Sequence, residues 1–176
     1  MKLKNILMLM ALTLGTFTFV ACGDDDEEQT GVVSAEQAAI NKKVVGTYTG
    51  WTHLTTNYID KNYADDTIEL KQEKDGTLTA VFTDKTWGTA TIKGCAVHLI
   101  SSNSTSAYSM EPGKGEFAMY NPRNNTTQTF PCELAAGLIS FDKDFMAASI
   151  VADMSSVEGG HGKMTFVFTT GEMPLE

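Results

Sequence analysis

Short segments of alternating apolar and polar residues, separated by turn residues, make up most of the chain after residue 44. In residues 66–72, for example, aliphatic side chains alternate with charged ones. This period of two is typical of a β-strand with one face buried. The segment is followed by Asp75-Gly76, a pair that tolerates the positive φ of a tight hairpin. The pattern therefore predicts an all-β domain.

The predicted strands number about eight to ten, lie about 8–12 residues apart and have no crossover helix between them. They comprise residues 44–59, 66–72, 77–83, 90–101 (two strands, or one kinked at Gly94), 106–110, 116–120, 126–134, 138–141, 146–153 and 163–169. Pro131 places one of them at an edge or a bulge. This spacing predicts a single antiparallel meander. We favour a closed β-barrel, with a β-sandwich as the alternative, because closure removes exposed sheet edges.

One short helix is predicted before the first strand. Ser34-Ala35-Glu36-Gln37 has the sequence of a capping box, with Ser34 as the N-cap and the Gln37 side chain reaching back to it. The helix is expected to end near residue 43, so the predicted domain at 34–176 is a barrel with a short N-terminal helix.

The first 21 residues have the layout of a secretory signal, with two lysines, an apolar segment at 6–20 and a small Ala21. The apolar segment is shorter than the roughly 20 residues that a membrane-spanning helix needs. The cysteine that follows indicates a lipoprotein signal peptide at 1–21 and a lipid anchor on Cys22. A plain signal peptide, with Cys22 as a chance neighbour, is the alternative.

The five acids at 24–28 contain nothing to bury and repel one another, so residues 22–33 are predicted to form a flexible tether. This acidic run resembles the surface-export signals that follow the lipidated cysteine in lipoproteins of the Bacteroidota. The resemblance implies an outer-membrane protein exposed at the cell surface. The alternative is a solvated tether without a sorting role, on a protein that faces the periplasm.

The net charge of the mature chain argues against negatively charged binding partners. Removal of the signal peptide takes away two lysines and leaves 11 basic against 22 acidic residues, a net charge of −11. Nucleic-acid binding depends on Lys and Arg that neutralise phosphates, so this balance excludes it. It also argues against electrostatic attraction to anionic lipid, and the predicted contact with the membrane is the N-terminal lipid alone.

Four short motifs resemble those of the calycin-like (lipocalin-like) β-barrel lipoproteins of the Bacteroidota. They are Gly46-Thr47-Tyr48-Thr49-Gly50, Thr67-Ile68-Glu69-Leu70, Asp75-Gly76-Thr77-Leu78-Thr79 and Ala90-Thr91-Ile92-Lys93-Gly94. The resemblance runs from about residue 44 to the C-terminus and implies a calycin-like barrel. True lipocalins carry a tryptophan where this chain has Tyr48, so the resemblance implies the barrel more strongly than a lipocalin function.

Two cysteines, Cys95 and Cys132, remain beyond the anchor, each in phase with apolar neighbours on its strand. They either form a disulfide, which an extracytoplasmic compartment permits, or remain as two buried thiols. No Cys-x-x-Cys pair is present in the sequence, which disfavours redox catalysis and a cysteine zinc site.

No catalytic motif is found. The acids nearest to such a role lie at predicted strand ends and turns, where we expect solvation; they are Asp65, Asp66, Asp142 and Asp144. The three histidines, His53, His98 and His161, are too far apart for a metal-ligand spacing. The sequence therefore predicts a protein that is not an enzyme, with no cofactor and no metal.

The candidate ligand-binding residues are Trp51, Trp87 and Tyr48, because an indole or phenol ring stacks on sugars or lines an apolar pocket while its polar end orients a ligand. Packing inside the barrel is the alternative role. We expect a surface-anchored barrel that binds a small apolar or amphipathic ligand in its mouth. The second hypothesis is a protein- or glycan-binding module that uses the outer surface or loops of a solid barrel. The sequence makes no prediction of ligand identity or oligomeric state.

Overall fold

A computed structural model describes residues 33–102, 105–121, 124–156 and 162–174 of the chain. The signal peptide, Cys22, the tether up to residue 32 and His161 lie outside these ranges. One helix, α1 (Ala35–Lys42), is followed by ten strands. They are β1 (Gly46–Thr55), β2 (Asp60–Gln72), β3 (Leu78–Asp84), β4 (Gly88–Cys95), β5 (Val97–Ser102), β6 (Thr105–Met110), β7 (Gly113–Asn121), β8 (Thr126–Ser140), β9 (Met146–Asp153) and β10 (Lys163–Thr170). Within the described ranges, no helix is both long and apolar enough to cross a membrane.

The sheet closes on itself as an eight-stranded antiparallel barrel, in the order β1-β2-β3-β4-β7-β8-β9-β10. The closing ladder joins β1 to β10, from the pair Gly50–Thr170 to the pair Thr55–Thr165. The predicted fold, a closed antiparallel barrel preceded by one short helix, is confirmed, and the structure is not a sandwich.

Strands β5 and β6 lengthen the hairpin formed by β4 and β7. The pairs Lys93–Lys114 and Val97–Met110 belong to one continuous register, so β4 and β5 together pair with β6 and β7 as the two arms of one long hairpin. It bends at Gly94, whose φ of +70° favours glycine. Beyond the bend, the Glu111 amide donates to the Ala96 carbonyl at 2.9 Å. Of the two alternatives, two strands or one strand kinked at Gly94, the structure has two strands, and they are separated at Ala96 rather than at Gly94.

Several strand boundaries were predicted wrongly. Strand β1 ends at Thr55 rather than at residue 59, because residues 56–59 form the turn to β2, and β7 begins at Gly113 rather than at residue 116. Strand β2 begins at Asp60 rather than at residue 66, because a bulge at Asp65 (φ +62°) lets a polar segment continue the ladder with β1. Strand β8 is one strand of 15 residues rather than two. Its small central residues, including Gly137, have weak β-propensity, yet pairing on both sides keeps them extended. Pro131 lies one residue outside the β8–β9 ladder, where no N–H is needed for that pairing.

Helix α1 begins as predicted and then departs from the predicted capping box. The Ser34 hydroxyl accepts from the Gln37 amide at 3.1 Å, as an N-cap does. The Gln37 side chain does not reach back. Its Nε2 donates to the Asn41 side chain at 3.0 Å and to the Val97 carbonyl at 2.9 Å, so it ties the helix to β5.

Buried Asn41 links the helix to two parts of the sheet. Its Nδ2 donates to the Gly76 carbonyl at 2.8 Å, in the β2–β3 turn, and its Oδ1 accepts from the Val97 amide at 3.1 Å. Val97 is the first residue of β5, the terminal strand in the sheet order. We call the end of the barrel that carries α1 and the β2–β3 turn the helix end.

Aromatic side chains fill the middle of the barrel. The ring of Phe166 lies 5.3 Å from that of Phe82 and 5.3 Å from that of Phe117, measured between centroids. Phe168 contacts Phe82 at 6.5 Å. All four rings are fully buried. The barrel centre is therefore a packed core rather than a channel.

Cys95 and Cys132 are both buried and both free. Cys132 lies opposite Gly115 on β7, and the β4–β7 register places Cys95 three positions away, level with Pro112. Three residues of a strand span about 10 Å, more than the roughly 7 Å that a disulfide allows between Cα atoms. Of the two alternatives, the structure has the buried thiols.

Candidate functional site

The end of the barrel opposite α1 carries the β1–β2 turn at 56–59 and the β3–β4 turn at 85–87. We call it the distal end. Five side chains from β1, β2, β3 and the β3–β4 turn gather on the inner side there, and we call them the distal cluster. They are Thr52, Tyr63, Asp66, Asp84 and Trp87.

Two carboxyls form the centre of the distal cluster. Asp66 is in phase with Ile68, so the pleat of β2 points it into the barrel. The neighbouring register pair, Thr67–Thr83, places Asp66 beside Asp84 on β3. Asp66 is 1% exposed and Asp84 is 2% exposed. Two acids are thus buried side by side just above the aromatic core.

Most of the polar atoms in this cluster lack a partner. Asp84 Oδ1 accepts from the amides of Thr86 and Trp87, at 2.7 and 2.8 Å, and so closes the β3–β4 turn. Five buried atoms make no hydrogen bond of good geometry among the residues that the structure describes, although the Thr52 hydroxyl, the Lys85 amide and the Asp84 carboxyl lie close enough to Asp66 to shift its pKa. They are Thr52 Oγ1, Asp66 Oδ1, Asp66 Oδ2, Asp84 Oδ2 and Trp87 Nε1. Since buried polar groups are nearly always hydrogen-bonded, these atoms can accept or donate to an ordered water or a bound ligand.

Burial changes the proton affinity of both acids. It raises the pKa of Asp66 to about 7; the nearby Thr52 hydroxyl opposes the rise and the negative charge of Asp84 adds to it. Burial also raises the pKa of Asp84, whereas the amide donors of Trp87 and Thr86 lower it. Near neutral pH, therefore, the pair tends to hold a proton as well as a negative charge.

The nearest lysines on the same elements point elsewhere. Lys85 Nζ lies 3.4 Å from the exposed carboxylate of Asp65, and Lys61 Nζ lies 5.8 Å from the centroid of the Tyr63 ring. No ion pair joins Asp66 or Asp84 to a basic side chain anywhere in the described ranges. The acid pair is thus uncompensated in charge.

Aromatic and thioether groups stand beside the acids. Tyr63 and Trp87 meet edge to face, with ring centroids 6.3 Å apart and planes at 86°. Both are partly buried against the core, as is Met119, which pairs with Gly88. The distal cluster therefore combines an acidic interior with an apolar, partly exposed rim.

The prediction that Asp66 is solvated was wrong. Asp65 is exposed as predicted, and so are Asp142 and Asp144. Asp66 is buried because the bulge at Asp65 shifts the alternation of β2 by one residue, so that Tyr63 and Asp66 both face the interior. A sequence signal was present. Asp66 is in phase with Ile68 on β2, and Asp84, which we did not single out, is in phase with Phe82 on β3.

The structure does not bring the three candidate ligand-binding residues together. Trp87 belongs to the distal cluster. Trp51 lies half-buried on the outer wall, between two inward-facing residues of β1. Tyr48 is buried in the core toward the helix end, where its hydroxyl donates to the Val44 carbonyl at 2.8 Å.

Two of the three histidines have acidic partners. His53 Nε2 lies 2.8 Å from Asp60 Oδ1, and His98, which is exposed, contacts Glu111. His161 is outside the described residues. Among those that are described, no three His, Cys, Asp or Glu side chains come together in a way that could hold a metal ion.

A shallow groove of about 430 Å³ crosses the outer wall over strands β7 to β10. Its charged residues are mixed in sign and comprise Lys114, Glu133, Asp153 and Lys163, with Pro131 between them. The groove is separate from the distal cluster, because its lining belongs to β7–β10 whereas the cluster belongs to β1–β3 and the β3–β4 turn.

Neither a protein-family model, nor a curated protein, nor a solved structure matches this chain. The site is therefore interpreted from its own geometry.

Proposed function

We propose that the chain is a lipid-anchored, surface-exposed β-barrel that binds a small amphipathic ligand at the distal end. The observation that supports this most directly is the set of five unpaired, buried polar atoms in the distal cluster. A ligand that supplies their partners gains hydrogen bonds that the protein alone does not make, and leaving such atoms unpaired costs about 1–3 kcal/mol each. In this proposal the protein captures its ligand and does not transform it.

The apolar rim and the acids behind it together favour an amphipathic ligand. Tyr63, Trp87 and Met119 offer an apolar surface, while the acids lie behind it. Because the acids are almost fully buried, a ligand reaches them when the Tyr63–Trp87 contact opens. An edge-to-face pair contributes about 0.5–1.5 kcal/mol, so this opening costs little.

The packed core limits the size of the ligand. Phe82 lies two residues before Asp84 on the same inner face of β3, and its ring contacts Phe166 and Phe168. The binding space therefore extends no deeper than the acid pair, which favours a small polar head with an apolar tail along the rim.

The point at which the chain enters the barrel is compatible with lipid anchoring. The Val33 amide donates to the Asp75 carbonyl at 3.2 Å, in the β2–β3 turn at the helix end. The proposed tether therefore joins the barrel at the end away from the distal cluster.

Isothermal titration with octan-1-ol, a neutral amphiphile, tests the site. Trp87→Ala removes a rim residue of the distal cluster and Trp51→Ala removes the same side chain from the outer wall. We expect saturable binding to the wild type, at least tenfold weaker binding to Trp87→Ala and unchanged binding to Trp51→Ala. The absence of Trp87-dependent binding for this and for charged octyl amphiphiles would overturn the proposal.

The second candidate is a protein- or glycan-binding module that uses the outer wall. The outer groove and the half-buried Trp51 favour it. It predicts that oligosaccharides bind rather than octyl compounds, and that Trp51→Ala or Pro131→Ala weakens binding while Trp87→Ala does not. The calycin-like family assignment likewise stays a proposal, supported by the closed barrel with an N-terminal helix.

A further inference from the structure

We propose that the distal cluster selects ligands whose head group is a protonated primary amine. This inference rests on the proposed function and names the chemical class of the ligand that the site takes. It follows from three independent properties of the cluster: its charge, its balance of donors and acceptors, and its aromatic rim.

Charge is the first argument. Asp66 and Asp84 are buried together without a basic partner, and the lysines on either side are directed to Asp65 and to the Tyr63 ring. A buried carboxylate without a counter-charge is costly, and an anionic head group placed beside it would add repulsion. A cationic head group removes the cost, so the site favours positive charge over negative.

The balance of donors and acceptors is the second argument. Four of the five unpaired atoms are oxygens that accept hydrogen bonds, namely Thr52 Oγ1, both Asp66 oxygens and Asp84 Oδ2. A primary ammonium carries three N–H donors and no acceptor, which suits a group of acceptors. A hydroxyl offers one donor, and a quaternary ammonium offers none. The cluster therefore favours a primary amine over both.

The rim supplies the third argument. The faces of Trp87 and Tyr63 attract cations, and Lys61 already lies over the Tyr63 ring at 5.8 Å. A cation within about 6 Å of such a ring is attracted by the negative face of the ring, and the attraction grows when the cation loses water. An ammonium that passes between the two rings is thus stabilised on its way to the acids.

A resident metal ion fits the cluster less well. Calcium takes six to eight oxygen ligands and is usually held by several carboxylates. The distal cluster offers two carboxyls and one hydroxyl, and one oxygen of Asp84 already accepts from two backbone amides. The chemistry of the donors therefore points to an organic cation.

The test compares octylammonium, octan-1-ol and octanoate, which share one tail and differ in head group, by isothermal titration at pH 8 with the full chain. An alkylamine is still protonated at this pH, as a lysine is. We expect octylammonium to bind at least tenfold more tightly than octan-1-ol, and octanoate to be weakest. Charge-assisted hydrogen bonds account for a difference of this size.

Variants then assign the selectivity to the acids. Asp66→Asn keeps the shape of the side chain and removes the charge, and we expect it to weaken octylammonium binding about 10- to 100-fold and to leave octan-1-ol unchanged. Asp144→Asn, the same change at an exposed position in the turn between β8 and β9, serves as the matched control. Thr52→Val, which removes one acceptor without changing shape, should weaken octylammonium several-fold.

The outcomes separate the two proposals. Equal affinities for octylammonium and octan-1-ol, both dependent on Trp87, would overturn the amine selectivity and leave the proposed function standing. Tight binding of octylammonium that Asp66→Asn does not weaken would also overturn the amine site. If none of the three probes binds in a Trp87-dependent way, both proposals fail.

Discussion

Asp66 on β2 and Asp84 on β3 lie side by side inside the barrel, and in the described parts of the chain neither carboxyl pairs with a basic side chain. This relationship affects both ligand binding and stability, since two buried acids without a counter-charge favour protonation in the folded state.

Replacement of Asp66 by Asn should stabilise the protein at alkaline pH. Burial raises the folded-state pKa of Asp66 from 3.8 to about 7, so between these values the folded chain holds a proton that the unfolded chain releases. The stabilisation contributed by Asp66 is therefore fully present below about pH 4, falls as pH rises and levels off above about 7. The slope is about 1.4 kcal/mol per pH unit, so Asp66→Asn should be more stable by about 2–4 kcal/mol at pH 8.

Urea denaturation at pH 4, 6 and 8 measures this difference, and Asp65→Asn is the control. Asp65 is exposed and has φ +62°, a conformation that Asn adopts readily, so its replacement should change stability by less than about 0.5 kcal/mol. An advantage of Asp66→Asn that does not grow from pH 4 to pH 8 would contradict the assignment of a buried, proton-binding acid.

Loss of the Asn41 side chain should destabilise the fold. Asn41→Ala removes the amide that joins α1 to Gly76 and Val97, and leaves their backbone groups without these partners. We expect a loss of about 2–4 kcal/mol in the free energy of unfolding. Lys42→Ala, at the exposed neighbouring position, should change it by less than about 0.5 kcal/mol. Equal effects of the two changes in a denaturant titration would show that the Asn41 contacts do not hold the helix.

A methyl group at Gly50 should not be accommodated. A Cβ atom there would lie 2.0 Å from the Thr169 carbonyl oxygen, which is part of the ladder that closes the barrel. Gly50→Ala should therefore lower stability by about 3 kcal/mol or more. Gly94→Asn is the comparison, because a Cβ at that position meets open space and Asn tolerates its φ of +70°. Thermal melts of the two variants should differ widely, and similar melts would argue against closure at Gly50.

The thiols of Cys95 and Cys132 should be inert in the folded protein. Burial raises the pKa of Cys95 to about 11 and that of Cys132 to about 12, so almost no thiolate forms at neutral pH. In a Cys22→Ser variant, a thiol reagent should find no reactive group under native conditions and two after unfolding in denaturant without reductant. If reductant is needed to release them, the cysteines are bridged.

The same Cys22→Ser change tests the anchor in cells. Loss of the lipid should move the protein from the membrane fraction to the soluble fraction, since a net charge of −11 gives the mature chain no attraction to anionic lipid. Protease treatment of intact cells should remove the wild-type domain if it faces outward. Complete protection would contradict surface exposure and favour the periplasm-facing alternative.

The sequence predicted those parts of the fold in which local pattern and tertiary contacts agree. Residues 77–83, 146–153 and 163–169 alternate clearly and became strands β3, β9 and β10 with nearly the predicted bounds. The start of β2 was missed because residues 60–65 are polar and owe their extended form to the ladder with β1. Nothing local reveals that β4–β5 and β6–β7 share one register, since register is set by partners distant in sequence.

At the candidate site, too, the burial of the acid pair depends on tertiary contacts that the local sequence does not reveal. The phase of Asp66 with Ile68 was visible in the sequence, but the position of Asp66 at the edge of a polar segment favoured solvation. Its burial depends on the bulge at Asp65 and on Asp84 in the next strand, and both are consequences of tertiary structure. Trp87 could be identified as a candidate ligand-binding residue from its residue type alone, whereas the buried acids beside it could not.

The contact between Asn41 and Val97 has a further consequence for the behaviour of many copies on one surface. Strand β5 ends the sheet order, and the open N–H and C=O groups of such a strand recruit strands from other molecules. The side chains of α1 engage both the N–H and the C=O of Val97 at the start of that strand. If the chain is lipid-anchored as proposed, its copies are confined to two dimensions, and we expect this short helix to limit strand-to-strand aggregation among them.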